Sequence, residues 1–292
     1  MSFVAEEINR QPAAWLRAAE LSADAEKVLP RAGERVAVVG CGTSWFIAEA
    51  YTHLREDAGH GQTDSFTASM FPLGRRYDRL LAITRSGTTT EVLRVLESQR
   101  AGSSTAITAD PHTPVIAAAE NTIVLDFADE RSVVQTVFAS TTLALLRAQL
   151  GEDVAALAAA ASDALAAPLA HELLAADQIT FLGQGWAHGL AREAALKMRE
   201  AAQLWTEAYP AMEYRHGPIA IAQPGRVVWV LGEPVSGIVE DIRATGATAV
   251  VTGNDPLVDL VLIQRLAVAR AELLGLDADR PRNLTRSVVL PG

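Results

Sequence analysis

Apolar residues run along this chain in two rhythms. Short, nearly unbroken apolar runs recur at Arg35-Val-Ala-Val-Val39, Leu80-Leu-Ala-Ile-Thr84, Ser104-Thr-Ala-Ile-Thr108, Thr122-Ile-Val-Leu125, Gln178-Ile-Thr-Phe-Leu182, Val227-Val-Trp-Val-Leu231 and Thr248-Ala-Val-Val251. Between several of them lie longer stretches with apolar residues at helical spacing, at about 45–55, 89–100 and 187–205. Buried strands read as continuous apolar runs, and strands alternating with helices of this length predict βαβ units and a parallel sheet. Residues 3–30 read as an amphipathic helix pair, broken near Pro12 and ended at Pro30, and residues 132–167 as almost wholly helical.

The rhythm occurs twice. Val38-Val39-Gly40-Cys41-Gly42 is matched by Phe181-Leu182-Gly183-Gln184-Gly185, 143 residues later, and Thr105–Thr108 by Thr248–Val251 at the same offset. Two matches in one register predict a duplicated α/β unit. The boundary is expected between Leu150 and Asp177, with domains at 1–165 and 166–292.

Composition narrows the function classes. A chain of 292 residues with 49% apolar content can bury a sizeable core. Its net charge of −10 argues against non-specific nucleic-acid binding, which needs a basic footprint. No apolar run approaches the ~20 residues of a membrane helix. The stretch from Met1 to Arg10 does not read as a signal peptide. Cys41 is the only cysteine, so an intrachain disulfide is impossible and a reducing cytoplasmic setting is expected.

The chemistry is concentrated in loops that follow strands. Gly40-Cys-Gly-Thr-Ser44 lies between a strand and a helix start, where glycine allows close approach and free N–H groups face an anion. Thr84-Arg-Ser-Gly-Thr-Thr89 follows the next strand and adds more hydroxyls. Helix capping accounts for one hydroxyl per helix, not for Thr84, Ser86, Thr88 and Thr89 together. The second-half counterpart has Trp186 and Ala187 in place of Thr43 and Ser44, so one phosphate site per chain is expected, in the first half. No P-loop lysine or dinucleotide fingerprint is present, and no histidine pair has zinc spacing, so neither cofactor nor metal is called for.

The second half supplies acid–base candidates. Glu193, Lys197 and Glu200 share one face of an Ala/Leu-rich helix, where a carboxylate is costly unless paired or functional. His216 lies in the turn Tyr214-Arg-His-Gly-Pro218.

Together Gly40-Cys-Gly-Thr-Ser44, Thr84-Arg-Ser-Gly-Thr-Thr-Thr-Glu91, Arg192-Glu-Ala-Ala-Leu-Lys-Met-Arg-Glu200 and Glu207–Pro218 resemble the sugar isomerase (SIS) domain family. The likeness is to double-SIS phosphosugar isomerases and deaminases, including the isomerase half of glucosamine–fructose-6-phosphate aminotransferase. It implies an α/β fold of two SIS domains, each a five-stranded parallel sheet flanked by helices in a flavodoxin-like three-layer sandwich. It also implies a homodimer that binds a phosphorylated sugar or amino sugar. By resemblance Gly42, Thr43, Ser44, Thr84, Arg85, Ser86, Thr89 and Ser132 hold the sugar phosphate, with Lys197 nearby. Glu200 shuttles a proton between C1 and C2, and His216 assists ring opening across the dimer interface. Pro281-Arg-Asn-Leu-Thr-Arg-Ser287 resembles the tail that folds over the sugar, with one departure. Arg286 stands where the aminotransferase has a Schiff-base lysine, and a guanidinium cannot take that role.

The reaction expected is isomerisation or deamination of a sugar 6-phosphate. Deglycation of fructosamine 6-phosphates and non-catalytic phosphosugar sensing are the alternatives. The base is expected to be tuned toward neutrality by burial, and Phe71, Trp186, Tyr209, Met212 and Tyr214 are expected to line the pocket.

Overall fold

The structure, a computed structural model, describes residues 2–98 and 101–290. It opens with one continuous helix, α1 (Phe3–Ala25), which carries the buried Pro12 in its interior without breaking, where a helix pair was expected. Ser2 accepts from the Ala5 amide and caps the helix start. A first α/β run follows: β1 (Val36–Gly40), α2 (Thr43–Asp57), β2 (Thr63–Thr67), β3 (Arg79–Ile83), α3 (Thr90–Ser98), β4 (Ser103–Thr108), α4 (Val115–Ala118) and β5 (Asn121–Val124). The last two residues of the helix expected over 89–100 lie outside the described residues.

Three helices come next, α5 (Val137–Gln149), α6 (Val154–Ala166) and α7 (His171–Ala175). The segment ahead of α5 is not helical, and Gly151 at positive φ, with Asp153 capping α6, separates two of the helices in the stretch expected as one. The second run is β6 (Gln178–Gly183), α8 (Trp186–Ala202), β7 (Thr206–Pro210), β8 (Arg226–Leu231), α9 (Ile238–Ala244), β9 (Thr248–Val251) and α10 (Pro256–Leu273).

Both sheets are wholly parallel and share one order. The first runs β2-β1-β3-β4-β5 and the second β7-β6-β8-β9. The second sheet therefore has four strands where five were expected. After β9 the chain passes to Asp255, which caps α10 through the Leu257 amide, and no strand equivalent to β5 is formed among the described residues.

Strand residues alternate between two cores, as a pleated strand covered on both faces requires. Val36, Val38, Leu81 and Ile83 face an inner core shared with Phe181, Trp229 and Leu231, while Ala37, Val39, Leu80 and Ala82 face outward toward Val92, Val95 and Leu96 of α3. Leu182, Val228 and Val230 do the same on the far side, against Ile238 and Ile242 of α9. The inner core is continuous across both sheets and includes α1, α5, α8 and α10.

The sheets also correspond in register. Val36 pairs with Thr63 and Ile179 with Thr206, so the offset of 143 holds for β1, β2 and their counterparts. It does not hold throughout. Val36 sits beside Arg79, which sits beside Ser103, whereas Ile179 sits beside Val227, which sits beside Thr248. The sheet thus matches Thr248 to Ser103, not to Thr105 as the sequence offset suggests.

Candidate active site

In a sheet of order 2-1-3-4-5 the ligand crevice opens beyond the carboxyl ends of the first and third strands, where the connections diverge. The loops after β1 and β3 meet there. Gly42 adopts φ 55°, ψ −126°, a conformation open to glycine and strained for other residues, and turns the chain sharply into α2. Gly185 repeats it at φ 56°, ψ −129° before α8. Neither helix start has a side-chain cap.

A small cavity of about 80 Å³ lies at the first crevice, lined by Cys41, Ser44, Thr84, Arg85, Ser86, Thr89, Gln135 and Arg286, among others. The expected hydroxyls Ser44, Thr84, Ser86 and Thr89 are therefore brought together. Thr84 is the most telling. It is buried, and its Oγ1 has no hydrogen-bond partner among the described residues. A buried hydroxyl without a partner is destabilising, and a ligand oxygen would satisfy it. Cys41 is no nucleophile here, since burial, with Glu91 nearby, pushes its thiol up to about 11.

Three expected phosphate contacts point elsewhere. The Thr43 hydroxyl donates to Glu193 Oε1 at 3.2 Å. Ser132 is buried beneath α1, its hydroxyl committed to the Glu7 carboxylate and the Val134 carbonyl, so it does not reach the cavity. Arg85 borders the cavity, but its guanidinium bonds Glu130 Oε2 and the carbonyls of Ser132, Val133 and Arg286. Sequence reasoning missed Glu130, which is fully buried. Its other oxygen accepts from Thr136 and from the Val137 amide, which fixes the start of α5. Its place in the run Asp129-Glu130-Arg131 gave no signal that it is buried.

The tail crosses this cavity. Ser287, Ser86 and Thr88 form a triangle of hydroxyls 2.9–3.1 Å apart. The Arg286 guanidinium is anchored to the Asp129 carboxylate and the Glu130 carbonyl. Further back along the tail, Arg282, Asn283 and Leu284 form one wall of a second cavity, of about 460 Å³, whose opposite wall is Leu196, Arg199, Glu200, Gln203, Leu204 and Trp205. The same short segment therefore borders both the hydroxyl cavity and the cavity that holds Glu200.

The helix α8 delivers the acid–base groups. Lys197 Nζ lies 3.4 Å from Glu193 Oε1 and bonds Glu200 Oε2. Glu193 and Lys197 are fully buried and Glu200 is partly exposed. Burial, opposed by Lys197 and reinforced by Glu200, pushes the Glu193 carboxyl up to about 7. Burial alone would pull the Lys197 ammonium down, but Glu193 and Glu200 outweigh it and hold it above the ordinary lysine range.

Where α8 crosses α2, positions 143 apart face each other. Glu49 pairs with Arg192 at 2.5 Å, and a Cβ on Gly189 would lie 2.6 Å from the carbonyl oxygen of its counterpart Phe46. His188 adds a second contact to Glu49 at 2.6 Å.

The remaining expectations separate from the site. His216 ends a 3-10 turn (Glu213–His216), is exposed, and its ring has no hydrogen-bond partner among the described residues. None of the five expected pocket residues lines either cavity. Phe71 packs on Phe66 and Tyr77, Tyr214 is fully buried against Tyr209, and Trp186 lines a crevice of the second sheet. Arg199, Gln203 and Trp205 border Glu200 instead. The helix spacing that selected Glu200 also places Arg199 and Gln203 beside it, but nothing in the sequence marked them.

Fold and loops together define a class, an α/β protein of two parallel sheets with a hydroxyl-lined loop cluster at the switch point of the first. No family model matches the chain. It is similar to the glutamine–fructose-6-phosphate aminotransferase of Nostoc sp. (strain PCC 9229), 28% identical over 88% of this chain and 52% of that protein. The chain spans between a quarter and about half the length of the curated relatives it matches. Among solved structures it resembles a glucosamine-6-phosphate deaminase from Thermotoga maritima, with a TM-score of 0.84 and 25% identity over 99% of this chain and 100% of that one. The C-terminal domain of the Francisella tularensis glucosamine–fructose-6-phosphate aminotransferase shares the fold, with a TM-score of 0.82 at 19% identity, covering 96% and 98% of the two chains. Sequence relatives and structural neighbours agree on one family likeness, to SIS phosphosugar isomerases and the isomerase half of the aminotransferase. No helix among the described residues is long and apolar enough to cross a membrane.

Proposed function

We propose that this chain is an enzyme acting on an aldose or 2-amino sugar 6-phosphate, built from two SIS units and working as a homodimer in the cytoplasm. The observation that carries this reading is the pairing of cavities. A hydroxyl-lined cavity at the switch point, with Thr84 Oγ1 unpartnered, is joined by the tail to a larger one bordered by Glu200. The phosphate docks on Ser44, Thr84, Ser86 and Thr89 beside the N-terminus of α2, whose dipole favours an anion, displacing Ser287 from Ser86 and Thr88. The sugar then extends toward Glu200.

Glu200 removes the C2 proton of the open-chain sugar, giving an enediol or, with a 2-amino group, an enolamine. Returning that proton to C1 yields a ketose in the first case. In the second it yields a C2 ketimine, which water hydrolyses to the ketose and ammonia. Lys197, bonded to Glu200, orients the carboxylate. His216 is exposed and faces no group of its own site, which fits action on the open cavity of a partner chain. Arg286 lies at the family's lysine position, and its guanidinium cannot form an imine, so the amine-transfer route is closed and deamination or isomerisation remains.

The test is a substrate panel of glucosamine 6-phosphate, galactosamine 6-phosphate, fructose 6-phosphate and an N-substituted fructosamine 6-phosphate. Ammonia or amine release and aldose–ketose interconversion are followed separately. Turnover of at least one member is expected, with Glu200→Gln reducing it about 10²–10⁴-fold, the usual contribution of a positioned base. Full turnover by Glu200→Gln would remove Glu200 from its role. Tight binding of every member with no turnover would make the chain a phosphosugar sensor.

A further inference from the structure

The pair Glu193–Lys197 is fully buried, and the proton transfers above do not use Glu193. Its Oε1 accepts from Thr43 at the start of α2 and approaches Lys197, while its Oε2 has no partner among the described residues. Lys197 is thus placed between two carboxylates of one helix, at i−4 and i+3. Its three N–H groups can reach both carboxylates, but its one positive charge is divided between them.

We infer that Glu193 is a positioning residue that sets how strongly Lys197 holds Glu200, and that its protonation state switches the base between a clamped and a released form. With Glu193 neutral, Lys197 pairs with Glu200 alone, and the base is weakened by its counter-charge. With Glu193 ionised, the ammonium is shared, and Glu200 accepts a proton more readily. The proton leaves Glu193 for solvent and returns from it, and no other group changes state.

The surroundings allow this switch. From α8 itself Lys197, Glu200 and Arg199 act on the pair, and from α2 the Thr43 hydroxyl. The segment ahead of α5 contributes Glu130, already neutralised by Arg85. From β7 the Thr206 hydroxyl bonds the Ala195 carbonyl, and Asp259 of α10 is engaged by Trp229, Thr252 and Asn254. Burial places the Glu193 transition at about 7, within the working range of an enzyme.

The inference rests on Glu200 being the base, so the experiment separates the two. Carboxyl titration by ¹³C-glutamate NMR needs no substrate. It is expected to show one glutamate titrating near pH 7, absent in Glu193→Gln and moved upward in Thr43→Val, which lacks the hydroxyl that favours the ionised form. The pH profile of kcat/KM with the panel sugar that turns over is then expected to rise through the same pH in the wild type. Glu193→Gln should lose that limb and run about tenfold below wild type at pH 8, close to it at pH 6. A limb that persists in Glu193→Gln overturns the switch, as does a uniform loss at all pH values, which is what a merely structural role gives. Should Glu193→Gln fail to fold, an unmoved transition in Thr43→Val overturns it. Undiminished turnover by Glu200→Gln condemns the underlying base assignment instead.

Discussion

The crevices of the two sheets share a backbone and differ in every side chain that matters. Gly42 and Gly185 have the same torsions, and both crevices open at the switch point of the same strand order. In the first, Thr43 and Ser44 start the helix and Thr84-Arg-Ser86 follows β3. In the second, Trp186 and Ala187 start the helix. There Arg79 corresponds to Val227 by sheet register, so six residues on Arg85 corresponds to Glu233, and Thr84 to Gly232. The second crevice, about 480 Å³ and bordered by Glu233 and Asp255, has exchanged hydroxyls and cation for carboxylates. A parallel sheet supplies a place to bind, and the side chains decide whether an anion is attracted or repelled. Asp255 is held by Arg147, which also pairs with Glu152 and lies over the Trp186 ring, so the second crevice is stiffened by its own ion network.

The sharpest way to break this comparison is at Arg85. Its pair with Glu130 is buried on both sides, and removing one partner of such a pair leaves an uncompensated charge. Arg85→Met is expected to cost about 3–5 kcal/mol in chemical denaturation and to loosen the tail, whose Arg286 carbonyl it holds. Glu233→Gln, at the corresponding place, is expected to fall within ~0.5 kcal/mol. Equal losses at the two positions would mean that the halves are held alike. Next in size is pH. The Glu193 carboxyl keeps its proton to about 7 in the folded chain, against an ordinary 4.5 when unfolded. The folded state therefore binds more protons between those values, and stability present at low pH is lost as pH rises through that window, by roughly 1–3 kcal/mol. Urea melts of Glu193→Gln from pH 4.5 to 8 should show a flatter profile than wild type.

Most of the sheet was legible because its central strands are apolar on both faces. The two strands missed, β2 and β7, are the edge strands beside β1 and β6, and they carry Thr-Asp-Ser-Phe-Thr and Thr-Glu-Ala-Tyr-Pro, polar sequences that a half-exposed edge tolerates. The continuous α1 was missed because its Pro12 stops helices on propensity, while packing of Trp15 and Ile8 into the inner core outweighs that local preference. The hydroxyl loops were legible, since clustered Ser and Thr at strand ends have few other uses. Ser132 and the aromatic residues were misplaced, and Arg85, which does line the cavity, turns its guanidinium to Glu130, because sequence spacing says which residues share a loop, not where a side chain points. Glu7 and Glu130, the partners that draw Ser132 and Arg85 away, come from other segments and become neighbours only in the fold.

Two smaller effects sharpen the comparison. At the α2–α8 crossing, Gly189→Ala would normally gain about 1 kcal/mol of helix propensity. Here the new methyl meets the Phe46 carbonyl and the Ala50 amide, both backbone, at 2.6 and 2.8 Å. A net loss of about 1–3 kcal/mol is expected from the forced separation of the helices, read as a lower thermal midpoint. A gain would show that the crossing is loose.

The smallest change in stability carries the most information about the site. Thr84→Val keeps the shape of a buried side chain and removes a hydroxyl that has no partner in the chain. Deleting an unsatisfied buried polar group is close to neutral or slightly stabilising, within about 1 kcal/mol. If the hydroxyl exists for a phosphate, the same substitution should raise KM for the panel sugar about tenfold, the equivalent of one neutral hydrogen bond at ~1.4 kcal/mol. It should also reduce the rise in melting temperature caused by inorganic phosphate. Ala187→Ser, which restores in the second crevice the hydroxyl that Ser44 has in the first, should leave the phosphate response unchanged, because Glu233 and Asp255 still border it. A Thr84→Val chain that melts higher and binds phosphate as well as wild type would show that the hydroxyl cavity is not the anion site, and the distinction drawn between the two crevices would lose its functional meaning.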